Sequence, residues 1–434
     1  MPDKKRILVA GGGAGGLERA TRLGRKLGRR GRADITLVDA NPTHIWKPLL
    51  HEVATGALDQ SLDEVSYQAH ARGHGYRFRL GRMIGLDRSN RELRLAPVLD
   101  DDGRQLLAER SVGYDYLVLA LGSVCNDFGI PGVAEHCHFL DSAGQAEALR
   151  KTLLNTFLQH SGNAPDNTRE LSVAIVGAGA TGVELAAQLL SATELLATYG
   201  YTHIGREQLH IHLIEAAPGV LPALPDRIGV AVGRQLDKLG VTIHANTTVT
   251  QADGRGLVTR DGTRIDADLR IWAAGVRAPA VLCELGLTTQ PNNQLLVRPT
   301  LASVDDDRIF AIGDCAACPM SDSDWVPPRA QSAHQMASRA YRNLLARLKD
   351  KPAKDFRYRD FGSLISLSRF AVVGNLMGGH STGRSLFIEG MLARLFYLSL
   401  YRMHQRSLHG SFKTGLKVIV DGINSMLRPR LKLH

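Results

Sequence analysis

Two stretches of this chain follow one design. "ILVAGGGAGGLERA" (Ile7 to Ala20) and "VAIVGAGATGVELA" (Val173 to Ala186) each read as a buried strand, a glycine turn and the start of a helix. Gly11, Gly13 and Gly16 stand in GxGxxG register, and so do Gly177, Gly179 and Gly182. That register serves a tight turn, then a backbone bare enough to approach a pyrophosphate, then close packing of helix on strand. The anion sits at the positive end of the helix. A single match is weak, because glycine-rich turns are common. Here the runs before the turns, "RILVA" and "LSVAIV", are apolar and β-branched, as parallel strands are. The expected class is α/β, with two Rossmann-like dinucleotide-binding domains.

Each unit also supplies an acid at a strand tip. "ADITLVDA" ends at Asp39 and "LHIHLIEA" at Glu215. An acid there accepts hydrogen bonds from a ribose and repels a 2′-phosphate, which favours NADH over NADPH. The alternative is that these acids merely cap strand ends. Asp39 follows Gly16 by 23 residues, whereas Glu215 follows Gly182 by 33. The second unit therefore needs a longer helix or an insertion, around "TYGYTHIGREQ".

Two further segments complete the first site from far apart in sequence. "YDYLVLALGS" is a strand ending in a small-residue turn with Ala120 and Gly122; "DDDRIFAIGDCAA" is a strand followed by Gly313 and Asp314 at an expected helix start. Helix-start amides there face pyrophosphate oxygens, and Asp314 suits a ribityl hydroxyl. "LRIWAAGVRAP", with Gly275, plays the equivalent part in the second unit. The second domain is thus inserted in the first. The expected boundaries are residues 1–125 and 295–345 for the first nucleotide domain, 126–294 for the second, and 346–434 for a carboxyl-terminal region.

A hydrophobic content of 44% against 22% charged residues fits a globular core and excludes disorder. No run reaches the roughly 18 apolar residues of a membrane span, and glycines interrupt any leader-like start. Five scattered cysteines make no disulfide framework. The reading is a chain that stays in the cytosol. Its charge of +10 points either to nucleic acid or to anionic lipid, and the location of the charge decides. From Gly390 to His434 there are eight Lys or Arg (Arg394, Arg402, Arg406, Lys413, Lys417, Arg428, Arg430, Lys432) against one acid, Asp421. "MLARLFYLSLYRM" is apolar yet too short to span, and Leu416, Ile419, Val420, Ile423, Met426 and Leu427 share one helical face. An apolar stripe beside basic residues reads as an in-plane helix on anionic membrane lipid. A buried core helix or a homodimer interface are the alternatives. No nucleic-acid motif accompanies the charge, so nucleic acid is not expected as a partner.

The combination resembles the flavoproteins with two dinucleotide-binding domains, FAD first and a nicotinamide nucleotide second. "ANPTHIWKPLLHEVATGALD" lacks the cysteine pair of the disulfide-reductase branch, and no cysteine follows Cys318, which sulfide:quinone oxidoreductases need. "HIWKPLLHEVATG", "GATGVELAAQL", "VPPRAQSAHQMA" and "LYRMHQRSLHGSFKTGL", with the "RPRLKLH" tail, resemble the bacterial type II NADH:quinone oxidoreductases across essentially the whole chain. The resemblance implies FAD and NADH as cofactor and substrate, and a membrane quinone (ubiquinone or menaquinone) as acceptor. It implies attachment to the cytoplasmic face of a bacterial inner membrane, without proton pumping.

The resemblance also assigns roles. Gln331 and Gln335, four apart, lie beside the flavin and line the quinone entrance, where neutral amides bond a carbonyl without bringing a charge into an apolar tunnel. Ala14, Lys47, Ala330 and Gln331 fall at FAD-contacting positions. Lys413 stands near the isoalloxazine, where its charge favours an anionic reduced flavin. Glu184, expected in the first helical turn after Gly182, approaches the nicotinamide. Two other readings stay open: an NADH-sensing flavoprotein, or a metal or disulfide reductase working through Cys315 and Cys318. Those two are expected at a helix start, which lowers a thiol pKa, though two thiolates alone complete no metal site. His210 and His212 mark the polar face of a strand.

Overall fold

The computed structural model describes residues 4–162, 170–199, 206–321, 324–377, 385–427 and 431. The chain divides into two compact units, one made of Met1–Trp46, Glu64–Val124 and Val276–Asp360, the other of Lys47–Asp63, Cys125–Gly275 and Phe361–His434.

The first unit is built on a five-stranded parallel sheet. Its order is Ile309–Ala311, Tyr116–Leu119, Lys5–Ala10, Ala33–Asp39, Arg77–Leu80. Ile7, Leu8, Val9 and Ala10 are all at most 1% exposed, because both faces of a parallel sheet are covered. Burying each of Ile7, Leu8 and Val9 stabilises the fold by about 1.5–3 kcal/mol. Helix Ala14–Leu23 follows the first glycine turn, and helix Ala330–Arg347 belongs to the same unit. Polar contacts tie the two helices: the buried Glu18 takes His334 Nδ1 at 2.8 Å, Arg22 donates to Ser338 Oγ at 2.9 Å, and the buried Arg19 guanidinium lies 5.3 Å from the Tyr341 ring centre.

The second unit repeats the plan. Its parallel sheet runs His138–Phe139, Leu269–Trp272, Leu171–Val176, Leu209–Ile214, Val241–His244. In both sheets the strand before the glycine turn is central, and the next strand in that unit's winding pairs beside it. Each unit also carries a three-stranded antiparallel sheet, Met83–Asp87 to Arg110–Gly113 in the first and Val249–Ala252 to Arg264–Asp266 in the second. The chain is thus α/β with two Rossmann-like sheets, the second interrupting the first. Helix Ala180–Thr198 has 19 residues against 15 for Ala14–Leu23 with the helical Gly24–Gly28 that continues it, and residues 199–208 precede the next strand where residues 29–32 do in the first unit; together these supply the longer spacing to Glu215. Residues 200–205 of the expected insertion lie outside the described residues.

The second unit ends in an antiparallel sheet, Gly362–Leu367, Ala371–Met377 and Ser385–Glu389, and two helices, Gly390–His409 and Ser411–Leu427. Ala393 of the first helix joins Val372 and Ile388 in a small core. No described helix is long and apolar enough to cross a membrane. Arg428, Arg430, Lys432 and the Met426 side chain lie outside the described set.

The glycine turns explain their own register. Gly11 and Gly177 have φ +97° and +101°, which L side chains rarely adopt. A Cβ on Gly16 would stand 1.9 Å from the Gly11 carbonyl oxygen, and one on Gly182 2.0 Å from that of Gly177. Around Gly13 and Gly179 a Cβ would meet nothing within 4 Å. Gly182→Ala therefore pushes the turn off its helix at about 2 kcal/mol, lowering the thermal midpoint by about 4–8 °C. Gly179→Ala leaves it within about 2 °C. Differential scanning calorimetry on the two variants checks the pair; equal midpoints would refute the packing account.

Candidate functional site

In each unit the strand-tip acid is bound to the glycine turn. The backbone N–H of Gly12 donates to Asp39 Oδ2 at 2.6 Å, and that of Asn41 to Asp39 Oδ1 at 2.8 Å. In the second unit Ala178 donates to Glu215 Oε2 at 2.8 Å and Ala217 to Glu215 Oε1 at 2.9 Å. The glycine N–H groups match as well: Gly11 bonds Val38 O at 2.8 Å and Gly177 bonds Ile214 O at 2.7 Å. Glu215 thus takes the same place as Asp39 despite its longer spacing. Burial pushes the Asp39 carboxyl above its usual range, against the pull of its Asn41 and Gly12 bonds.

The first cradle assembles from the segments named by the sequence. Gly13 is the N-cap of helix Ala14–Leu23 and carries no side-chain cap, so the first N–H groups face the room beside Gly13. Helix Ala330–Arg347, also without a side-chain cap, brings Ala333 to the turn: its carbonyl oxygen is 3.4 Å from a Cβ built on Gly15, and its Cβ 3.3 Å from one on Gly313. Ser123 donates to Asp314 Oδ2 at 2.9 Å, joining the turn after Tyr116–Leu119 to the one after Ile309–Ala311. Gly122 and Gly313 both hold positive φ, +69° and +74°. Ala120 closes the back of the turn, 3.1 Å from a Cβ on Gly16. Two uncapped helix starts, bare glycines and two carboxylates fit the pyrophosphate and ribose groups of FAD.

Three expectations need correction. Gly313–Cys315 is a single 3-10 turn leading into strand Ala316–Ala317, not the start of a long helix. With no helix dipole to favour a thiolate, burial dominates, pushing Cys315 up to about 11 and Cys318 up to about 12. Both thiols are buried and free, which removes the basis of a cysteine-dependent reductase. Glu184 is the fifth residue of helix Ala180–Thr198, beyond the first turn, so it does not complement the helix start.

The remaining residues are placed as follows. Gly275 has φ +63°, and a Cβ there would strike the Phe128 ring at 2.5 Å. Lys47 Nζ pairs with Asp141 Oδ1 at 3.1 Å, in the second unit. Gln331 and Gln335 lie four apart on one face of helix Ala330–Arg347. Gln331 donates to Asp360 Oδ1 at 3.2 Å, and Gln335 both donates to Arg359 O at 2.8 Å and accepts from Arg359 N at 3.1 Å. The Gln335 amide thus acts as a backbone partner for the Arg359 peptide. Lys413 is exposed on helix Ser411–Leu427. His212 Nδ1 lies 3.0 Å from His244 Nε2 on the neighbouring strand, and His210 pairs with Glu170 at 3.3 Å. Among the described residues no group of three or more His, Cys, Asp or Glu is arranged for a metal.

Glu184 lies in a buried cluster. Its Oε1 accepts the Ser366 N–H at 2.9 Å, and its Oε2 is 3.8 Å from His51 Nδ1. Burial and the neighbouring Glu52 push its carboxyl up to about 8, against the Ser366 bond. His51 and Glu52 were not singled out from the sequence. The signal was two adjacent titratable residues inside the apolar run "LLHEVA".

The pyridine nucleotide-disulphide oxidoreductase family model matches residues 5–337. A type II NADH:quinone oxidoreductase of Haemophilus influenzae is 47% identical, over 99% of this chain and 100% of its own. The type II NADH:quinone oxidoreductase Ndh of Mycobacterium tuberculosis is 29% identical, over 92% of this chain and 85% of its own. The structure of NDH2 from Plasmodium falciparum in complex with NADH superposes with a TM-score of 0.82 over 99% of this chain and all of that one, at 19% identity, which speaks to the fold. On the similarity to the Haemophilus relative, this chain belongs to the type II NADH:quinone oxidoreductase family.

Proposed function

We propose that the protein oxidises NADH and reduces a membrane quinone to quinol through FAD, at the cytoplasmic face of a bacterial inner membrane and without proton pumping. The observation that carries this reading is the pair of equivalent cradles in one chain, each with an acid tied to its turn and room at its second glycine. One cradle serves a resident cofactor and the other an exchanging donor. On this reading residues 1–125 and 295–345 hold FAD, 126–294 take NADH, and 346–434 face the membrane.

FAD, when bound, supplies the two-electron chemistry that joins NADH to quinone. The chain orients and charges the partners. Gly11, Gly13, Ala14 and Gly16 bare the backbone to the FAD pyrophosphate, Asp39 meets its ribose, and Asp314 its ribityl chain. Lys47, Ala120, Gly122, Gly313, Ala330 and Gln331 complete that surface. Gly177, Gly179, Gly182 and Gly275 do the same for NADH, whose ribose hydroxyls suit Glu215; a 2′-phosphate meets that carboxylate as a like charge. Glu184, neutral near pH 7, holds a proton beside the nicotinamide. Gln331 offers its amide to the quinone carbonyl, while Gln335 pins the Arg359 peptide. Lys413 supplies positive charge toward the reduced flavin.

The membrane reading is supported by apolar side chains left in solvent. Met391, Leu392, Leu395 and Phe396 of helix Gly390–His409, and Phe412, Leu416, Ile419 and Ile423 of helix Ser411–Leu427, are each 45–86% exposed. Anionic lipid suits the lysines and arginines between them. Ubiquinone or menaquinone fits as acceptor, and a homodimer is compatible with the same surface.

Under anaerobic conditions NADH bleaches the flavin band within the mixing time and a short-chain ubiquinone restores it, while NADPH bleaches it far more slowly. A flavin that stays reduced after quinone is added would refute the assignment. Glu215→Gln raises KM for NADH about tenfold, as loss of a charged hydrogen bond implies, and leaves kcat unchanged. The triple change Leu416→Ser, Ile419→Ser, Ile423→Ser removes about 4–9 kcal/mol of apolar transfer energy. Co-sedimentation with anionic vesicles then drops by at least about a hundredfold, while reduction by NADH continues. Unchanged co-sedimentation would rule this face out as the lipid contact.

A further inference from the structure

Gly12, between the first two glycines of the first turn, is held at both of its backbone polar groups. Its N–H donates to Asp39 Oδ2 at 2.6 Å. Its carbonyl oxygen accepts the Tyr67 hydroxyl at 2.8 Å. Tyr67 opens helix Tyr67–His74 in the same unit and is 2% exposed. Its ring stacks on Phe78 with centres 5.0 Å apart, and its own N–H donates to Pro42 O at 3.1 Å, so a side chain with little freedom delivers the hydroxyl. The fit is close. A Cβ on Gly12 would stand 2.3 Å from the phenol oxygen, so this position too requires glycine. Burial, then the Asp39 charge and Tyr76, keep the phenol protonated, and it remains a donor.

The second cradle meets the same need by other means. Ala178 stands where Gly12 does, with its N–H on Glu215 Oε2 at 2.8 Å. Its carbonyl oxygen accepts the backbone N–H of Leu221, also at 2.8 Å. Two unrelated donors, a phenol and a peptide N–H, thus reach one carbonyl position, which marks a requirement of the turn itself.

That requirement follows from peptide geometry. In a planar trans peptide the C=O and the next N–H point in opposite directions. A Gly12 carbonyl fixed on Tyr67 therefore aims the Gly13 N–H away from the tyrosine. Gly13 is the second glycine of the register, the one whose backbone approaches a pyrophosphate. Among the described residues nothing accepts from that N–H, and a Cβ on Gly13 would meet nothing within 4 Å.

We infer that Tyr67 is a positioning residue for retention of FAD: its hydroxyl holds the Gly12 carbonyl so that the Gly13 N–H is set for the pyrophosphate before the ligand arrives. The inference rests on the reading that the first cradle takes FAD, and deepens it. Tyr67 acts through the turn. Setting a donor in advance raises affinity by taking the ordering cost out of the binding step. Without the hydroxyl, the Gly12 carbonyl is a buried acceptor with no partner, and the turn shifts to find one at the expense of the Gly13 N–H.

Tyr67→Phe in the full-length holoenzyme is the test, because it keeps the ring on Phe78 and removes only the donor. On dilution, the dissociation constant of FAD, read from the fluorescence of released flavin, rises about tenfold. ADP, which carries only the adenosine and pyrophosphate part, weakens as a competitor by the same factor. Adenosine, without phosphates, does not weaken. Affinity for NAD⁺, read from quenching of protein fluorescence, stays at the wild-type value, since the second cradle has its own donor. A dissociation constant for FAD unchanged in Tyr67→Phe overturns the inference. So does adenosine weakening as much as ADP, which is the mark of a general loosening of the unit. Should Tyr67→Phe not fold, two ring analogues at position 67 carry the test. With 4-aminophenylalanine, which donates from the same place, FAD is retained; with 4-fluorophenylalanine, of similar length and no donor, its dissociation constant rises about tenfold. Equal retention by both overturns the inference. If the wild type binds ADP but no FAD, and Tyr67→Phe weakens ADP, the cofactor reading fails and the role of Tyr67 stands; if the wild type binds neither, both fail.

Discussion

The short bond from the turn N–H to the strand-tip carboxylate is the constraint on which both cradles depend. A glycine turn with positive φ is cheap to form but has many alternatives, because glycine loses more freedom than any other residue on ordering. Asp39 and Glu215 remove that freedom by accepting from the turn and from the second residue beyond themselves. The acid is thereby fixed at the carboxyl end of the sheet, where ligands of such folds bind. For Asp39, burial raises the pKa while the N–H bonds lower it, and burial wins. Such a carboxylate still gains from further donors, and ribose hydroxyls are of that kind.

The buried cluster around His51 follows a different rule. A fully ionised Glu–His–Glu cluster in a poorly solvated interior would pay a desolvation cost that pairing seldom repays. The protein lessens this cost by shifting the groups toward their neutral forms, with Glu184 raised, Glu52 raised and His51 lowered. The sign for stability follows. A carboxyl whose folded pKa lies above its unfolded one binds more protons in the folded state, so its contribution weakens as pH rises from about 4.5 toward 8. Placing Glu184 in the interior therefore costs stability at alkaline pH, as is common where groups are poised for proton transfer.

The glycine register, the buried strands and the two acids were legible in the sequence because each rests on local chemistry. The spacing to Glu215 looked discordant until the longer helix Ala180–Thr198 and the ten residues 199–208 after it accounted for it. The helix expected at Gly313 and Asp314, and with it the lowered pKa of the two cysteines, was misread for a tertiary reason. Ala316–Ala317 pairs with Leu295–Leu296, so the chain after Gly313 enters a small sheet instead of a helix, and no sequence period announces that partner. Gln335 was legible as a neighbour of Gln331 on one helix face, but its use by the Arg359 peptide was not, since Arg359 lies 24 residues away in irregular chain. Glu52 and His51 acquire their meaning only from Glu184, which is far off in sequence.

The last two helices show how an exposed apolar face can persist on a folded chain. Some of their charge is committed inward: Arg402 bonds Asp421 Oδ2 at 2.7 Å across the helix pair, and Lys417 bonds Asp63 at 3.1 Å. These contacts set the rotation of the helices and turn Leu416, Ile419 and Ile423 outward. At about 1.5 Å per residue, 17 residues span about 25 Å, less than the roughly 30 Å hydrocarbon core, and the sequence is too polar on one side to cross it. On the membrane reading proposed above, such a helix satisfies both faces at an interface, with its apolar side in the acyl boundary and its basic side among headgroups. Lys417 stands on such a helix and bonds Asp63, whose charge acts on Glu52. The exposed apolar helix and the buried cluster are therefore electrostatically joined within one unit, and on the proposed membrane reading this links the lipid-facing side to the interior.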